Sequence, residues 1–131
     1  MSLTQDRNTP MKDTEVLVVP VAANTRIFAG SMVVANATGF AAPGSAALDL
    51  SYLGRAEESV DNRGGAAGAL QIEVRHGKAF CWTNDGTITQ AHLFKTAFIV
   101  DDETVAAGDA TGTRSAAGRI VGIDPDGVWV E

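Results

Sequence analysis

Apolar and polar positions along this chain alternate over short stretches, and most stretches are bounded by turn residues. The clearest is Leu70-Gln71-Ile72-Glu73-Val74-Arg75-His76, where alternation puts Leu70, Ile72 and Val74 on one face of a strand and Gln71, Glu73 and Arg75 on the other. Gly77 and Lys78 join it to Ala79-Phe80-Cys81-Trp82-Thr83, which predicts a hairpin over 70–83, followed by an Asn84-Asp85-Gly86 turn. Glu15 to Val21 reads as an opening strand that lies at a sheet edge or carries a bulge, because Pro20 has no N–H for a ladder. Ser31 to Ala35, Leu50 to Ala56 and the runs beginning at Phe98 and Ser115 read as further strands. Asp124-Pro125-Asp126-Gly127 is a tight turn into Val128-Trp129-Val130, with Pro setting φ and Gly accepting a positive one.

Only Thr87 to Leu93 suggests helix, of one or two turns, with Thr87 and Gln90 spaced as a capping box. Many short strands and almost no helix predict an all-β fold, a small single-domain β-barrel or β-sandwich. Its expected core includes Leu70, Ile72, Val74, Phe80, Trp82, Ile99, Val121 and Trp129. Met1 to Thr14 lacks apolar periodicity and reads as a flexible N-terminal arm, so the chain divides into an arm over 1–14 and a β-rich domain over 15–131. Glu57 to Gly68, centred on Asp61-Asn62-Arg63-Gly64-Gly65, is the longest polar interruption and reads as a mobile surface loop.

Composition narrows the function classes. The 131 residues are 45% hydrophobic but only 6% aromatic, so the core rests on Val, Ile, Leu and Ala and is thin. Sixteen acids against ten scattered bases give a net charge of −6, which disfavours a nucleic-acid partner because phosphate binding needs a basic face. No apolar run approaches the roughly 20 residues of a membrane helix, and the polar start lacks the apolar centre of a secretory signal. The single Cys81 has no intrachain disulfide partner and reads as a small buried thiol.

Candidate chemistry is sparse. Asp101-Asp102-Glu103, with Asp109 nearby, would offer a hard cation too few convergent oxygens and is better read as a solvated turn. Asp124-x-Asp126-Gly127 resembles the start of a calcium loop but lacks its later ligands. His76 and His92 with Cys81 are the only residues from which a zinc site or a Cys-His nucleophilic pair could be assembled, and nothing in the sequence orients them. The Gly64 to Gly68 stretch lacks the Lys and the following helix of a phosphate loop. No cofactor and no metal are expected.

A resemblance adds to this reading. Tyr52-Leu53-Gly54-Arg55-Ala56, Val60-Asp61-Asn62, Gly64 to Gly68, Val74-Arg75-His76-Gly77, Trp82-Thr83-Asn84, Ile88-Thr89, Val100 to Val105, Arg114 to Gly118 and Gly127 to Val130 resemble, in this order, the capsid decoration (cement) proteins of tailed bacteriophages. The likeness spans residues 50–131 and is loose before them. It implies a non-enzymatic protein, made in the bacterial host cytoplasm, that binds the outer surface of an expanded phage head. There it would bridge major capsid protein subunits and associate with its own copies, as a trimer in the favoured case or a dimer in the other. The suspected capsid-binding segment is the arm Met1 to Thr14. Phe94 departs from the pattern, since relatives are expected to carry glycine or a small residue there. Two other readings are a different virion component, such as a head-fibre base or tail-tube subunit, and a small β-barrel enzyme using His76, Cys81 and His92.

Overall fold

The structure, a computed structural model, describes residues 2–131. It is an all-β domain of twelve strands and a single 3-10 turn, as expected from the alternating pattern. The strands are β1 (Val16–Pro20), β2 (Arg26–Ile27), β3 (Met32–Ala35), β4 (Ala41–Pro43), β5 (Ser51–Ala56), β6 (Val60–Asp61), β7 (Gln71–Arg75), β8 (Phe80–Asn84), β9 (Thr96–Ile99), β10 (Thr104–Ala106), β11 (Ala116–Asp124) and β12 (Gly127–Val130). They form two bodies side by side. The N-terminal half is a five-stranded sheet in the order β1-β7-β5-β3-β4, with β2 and β6 as a separate pair. The C-terminal half is a closed barrel, β10-β8-β12-β11-β9, in which β9 returns to β10.

The two bodies have separate cores that meet at β3. Val33 faces Val21, Ile27, Ala56, Ile72 and Val74, while its neighbours Met32 and Val34 point the other way, into the cluster that includes Phe80, Trp82, Ile99, Ile120, Val128 and Val130. One strand thus has both faces buried, which is why Met32-Val33-Val34 is a continuous apolar run. A hydrogen bond from the Trp82 indole N–H to the Tyr52 hydroxyl (2.9 Å) adds a polar link between β8 and β5.

Several sequence expectations need correction. The hairpin over 70–83 does not form: β7 pairs with β1 and β5, and β8 with β10 and β12. A strand has only two edges, and both edges of each are occupied by partners distant in sequence. Gly77, at φ +72°, turns the chain out of the sheet rather than back along β7. The capping arrangement also sits two residues later, in the 3-10 turn Gln90–His92, where the Thr89 N–H donates to His92 Nδ1 (2.9 Å). Thr87 instead donates through its hydroxyl to Asp85 and accepts from the Ala107 N–H.

Of the expected core, Ile72, Val74, Phe80, Trp82 and Ile99 are buried, but Leu70, Val121 and Trp129 are not. Leu70 falls just outside β7, which begins at Gln71, and is 42% exposed. Val121 falls at a register shift between Ile120 and Gly122, which breaks the alternation and leaves Ile120 as the inward residue. Trp129 lies between two buried valines and so faces outward, 39% exposed, beside Gly122 and with its indole N–H on Asp124 (2.9 Å).

The polar interruption is more ordered than a mobile loop. Val60–Asp61 pairs with Arg26–Ile27, and the buried Asn62 amide donates to the Ala22 and Ala66 carbonyls at 3.0 Å each. The turns at 101–103 and 124–127 form as expected, with Asp101 and Asp124 each accepting a backbone N–H two residues on.

Candidate interaction surface

The arm leads directly into a free strand edge. Ser2 to Thr14 contain no helix or strand, and every residue from Ser2 to Val16 is exposed; Met1 of the suspected capsid-binding segment lies outside the described residues. The arm's charged side chains, Asp6, Arg7, Lys12 and Asp13, cancel. Glu15, at its end, is paired with Lys78 (3.0 Å).

β1 is the outer strand of its sheet, as Pro20 predicted. The phase of its hydrogen bonding follows from its two ends: the Glu15 carbonyl accepts from the His76 N–H (2.8 Å), and the Val21 N–H donates to Leu70 (2.9 Å). With Val16 opposite Arg75 and Val18 opposite Glu73, Glu15, Leu17, Val19 and Val21 bond toward β7. Val16, Val18 and Pro20 therefore direct their backbone groups outward. The Val16 and Val18 N–H groups are free donors among the described residues, and Pro20 removes the third. Their side chains are exposed too, Val16 by 41% and Val18 by 58%. Past Pro20 the edge closes, because Val21 bridges to Ala41 and the Ala22 N–H donates to the Ala41 carbonyl.

On the same face of the sheet as Val16, Arg75 and Arg55 sit opposite one another on β7 and β5. With Lys78 and the aromatic residues Phe80, Trp82 and Trp129 they line a cleft of about 500 Å³ between sheet and barrel. Glu57 pairs with Arg55 (2.7 Å) and Arg75 (3.4 Å), and the Arg55 guanidinium lies 5.1 Å from the centre of the Phe80 ring. The Arg55 hydrogen bond is the main reason that the Glu57 carboxyl is held below the usual carboxylate range. Three of the ten basic residues thus converge on one concave surface of an acidic protein. The sequence hinted at this only through the outward parity of Arg75.

The three residues of the enzymatic reading are not assembled into a reactive centre. His76 Nδ1 donates to the Leu53 carbonyl (2.5 Å), and His92 Nδ1 accepts from Thr89. Among the described residues neither shares a hydrogen bond with Cys81, and no three metal-ligating side chains cluster. Cys81 is half-buried on the outer face of β8, across from Trp129, rather than in the core. Burial, aided by the charges of Asp124 and Asp126, pushes its thiol pKa up, the opposite of what activates a nucleophile. No helix among the described residues is long and apolar enough to cross a membrane. Comparison of the chain with protein-family models, curated proteins and solved structures found no match.

Proposed function

We propose that this chain is a non-enzymatic capsid decoration protein that binds the outer surface of an expanded phage head and bridges neighbouring major capsid subunits. The observation that carries this reading is the exposed Ser2 to Val16 segment running into the open edge of β1. An exposed arm suits ordering against a neighbouring capsid subunit, and the unpaired backbone donors beside it suit strand pairing, including with a sister copy. The reluctant Cys81 thiol and the structural hydrogen bonds of His76 and His92 favour it over the enzymatic alternative.

The energetics suit a repeated lattice. A stable interface buries ~1,200–2,000 Å², and a shell repeats each contact many times, so a modest free energy per site sums to a large resistance to rupture under internal pressure. A ligand that binds only the expanded lattice stabilises that state by mass action. Sister copies meet around symmetry axes of the shell, and neither cofactor nor metal takes part.

The test is co-sedimentation with expanded heads of the encoding phage, comparing the full chain with a chain lacking Met1 to Thr14. The truncated protein is expected to keep its circular dichroism and lose head occupancy. Equal occupancy would remove the arm from the interface, and failure of the full chain to bind heads would overturn the reading.

A further inference from the structure

The outer edge of β1 is self-complementary, and we infer that two copies of this chain pair there about a twofold axis, antiparallel, joining their five-stranded sheets into one continuous sheet. The inference stands on the strand edge alone and does not depend on what the protein decorates.

The backbone defines the contact. The free edge runs from Val16 to Pro20, because β4 covers the chain at Ala22. Within it only Val16 and Val18 have outward N–H groups, and their carbonyls point the same way. An axis beside Leu17 places Val16 of one copy opposite Val18 of the other, and the reverse. Each of these pairs then exchanges both N–H···O=C bonds, so all four donors of the two edges are used. The Thr14 N–H of each copy faces the partner's Pro20 carbonyl, which the missing proline donor leaves as an acceptor only. Moving the axis to Val18 would put Pro20 opposite Val16 and lose bonds. Pro20, with no N–H to return, disfavours registers that slide the pairing past it and ends the ladder there.

Side chains and charge point to a second copy as the occupant. Val16 and Val18 lie on the same face, so the register sets β-branched side chains against each other across the new ladder. The chain carries −6, yet between Thr14 and Pro20 the only charged residue is Glu15, which Lys78 already pairs. Two copies can therefore approach along this strand without a concentration of like charge. Antiparallel twofold pairing also consumes both edges, whereas pairing with a longer foreign strand would leave that strand's surplus groups unpaired. This is the dimer, the second of the two arrangements that the resemblance implied.

Analytical ultracentrifugation of the full chain over a dilution series tests the contact. The expected result is a species of twice the chain mass that dissociates on dilution. Val18→Pro deletes an outward donor without touching a bond to β7, and is expected to leave a monomer with unchanged circular dichroism. Val18→Thr keeps the donor and the β-branch and should still dimerise. Hydrogen exchange on the unmodified protein supplies a reading that does not depend on any variant folding: protection of the Val16 and Val18 amides should rise with protein concentration. A monomer at every concentration, a solution trimer, a Val18→Pro dimer, or concentration-independent exchange at Val16 and Val18 would each overturn the inference.

Discussion

The two halves of this molecule deal with strand edges in opposite ways. In the C-terminal barrel every strand has a neighbour on both sides, and β9 closes the ring against β10. The N-terminal sheet nearly closes through the Val21–Ala41 bridge but leaves β1 open from Val16 to Pro20. A closed sheet satisfies its own backbone, whereas an open one depends on solvent or a partner. The barrel is thus suited to be the stable body and the sheet the adhesive one, and the exposed arm is attached to the sheet.

The largest expected effect lies in the barrel. Trp82, 5% exposed, packs in its core, and Trp82→Ala should cost ~3–5 kcal/mol in denaturant unfolding. Trp129→Ala, on the outer face of the same barrel, should cost about 1 kcal/mol from its hydrogen bond to Asp124. Equal costs would mean that the faces of β8 and β12 are misassigned.

Next comes the link between the halves. Tyr52→Phe removes the acceptor of the buried Trp82 N–H, at an expected cost of about 1–3 kcal/mol. Burial raises the Tyr52 pKa to about 12, partly offset by the Trp82 hydrogen bond. The unfolded chain ionises first, near pH 10, so this contribution is intact below pH 10 and disappears as pH rises toward 12. Tyr52 is the only tyrosine, so ultraviolet titration of tyrosinate reads it directly. A midpoint near 10 in folded protein would break the proposed seam between sheet and barrel.

A smaller gain is expected at Phe94, which has φ +65° and is exposed, with the Arg119 guanidinium 5.8 Å from its ring. The left-handed conformation costs a non-glycine residue about 1–2 kcal/mol, and the exposed cation–π contact returns about 0.5 kcal/mol. Phe94→Gly should therefore raise stability by up to about 1 kcal/mol, measured by thermal unfolding. A loss would show that the ring contributes more than its backbone strain costs.

The smallest effect is acid sensitivity. Hydrogen bonds hold Asp61 at about 2, chiefly from Arg63, and lower Asp124, chiefly from the Trp129 indole. Folded-state pKa values below the unfolded ones mean that these contributions are present above about pH 4 and fade as pH falls toward 2. Denaturant midpoints at pH 5 and pH 2 should differ less in Asp61→Asn than in the unmodified chain. An unchanged difference would exclude Asp61 as a source.

Much of the all-β fold was legible because local alternation reports which face a residue takes. Ile72 and Val74 face inward, Glu73 outward, and Pro20 marks a true edge. Pairing was less legible, since partners are chosen across the whole chain: β7 and β8 look like a hairpin locally, yet each has both edges filled by distant strands. Trp129 was expected in the core together with its strand, yet alternation lets Val128 and Val130 take the inner face and turns Trp129 outward. The expectation of glycine or a small residue at position 94 came from the resemblance, and the positive φ there supplies a backbone reason for glycine. The cationic cleft was hidden because Arg55, Arg75 and Lys78 come from two strands and a turn, and only the sheet order brings them together.

The proposed decoration of a phage capsid is tested most directly by a cryo-EM map of expanded phage heads with and without this protein. The expected result is added density on the outer surface, contacting more than one major capsid subunit, with the Ser2 to Val16 segment and β1 at an interface. Heads that acquire no added density, or density in which the arm and β1 face open solvent with no sister copy or capsid subunit against them, would contradict it.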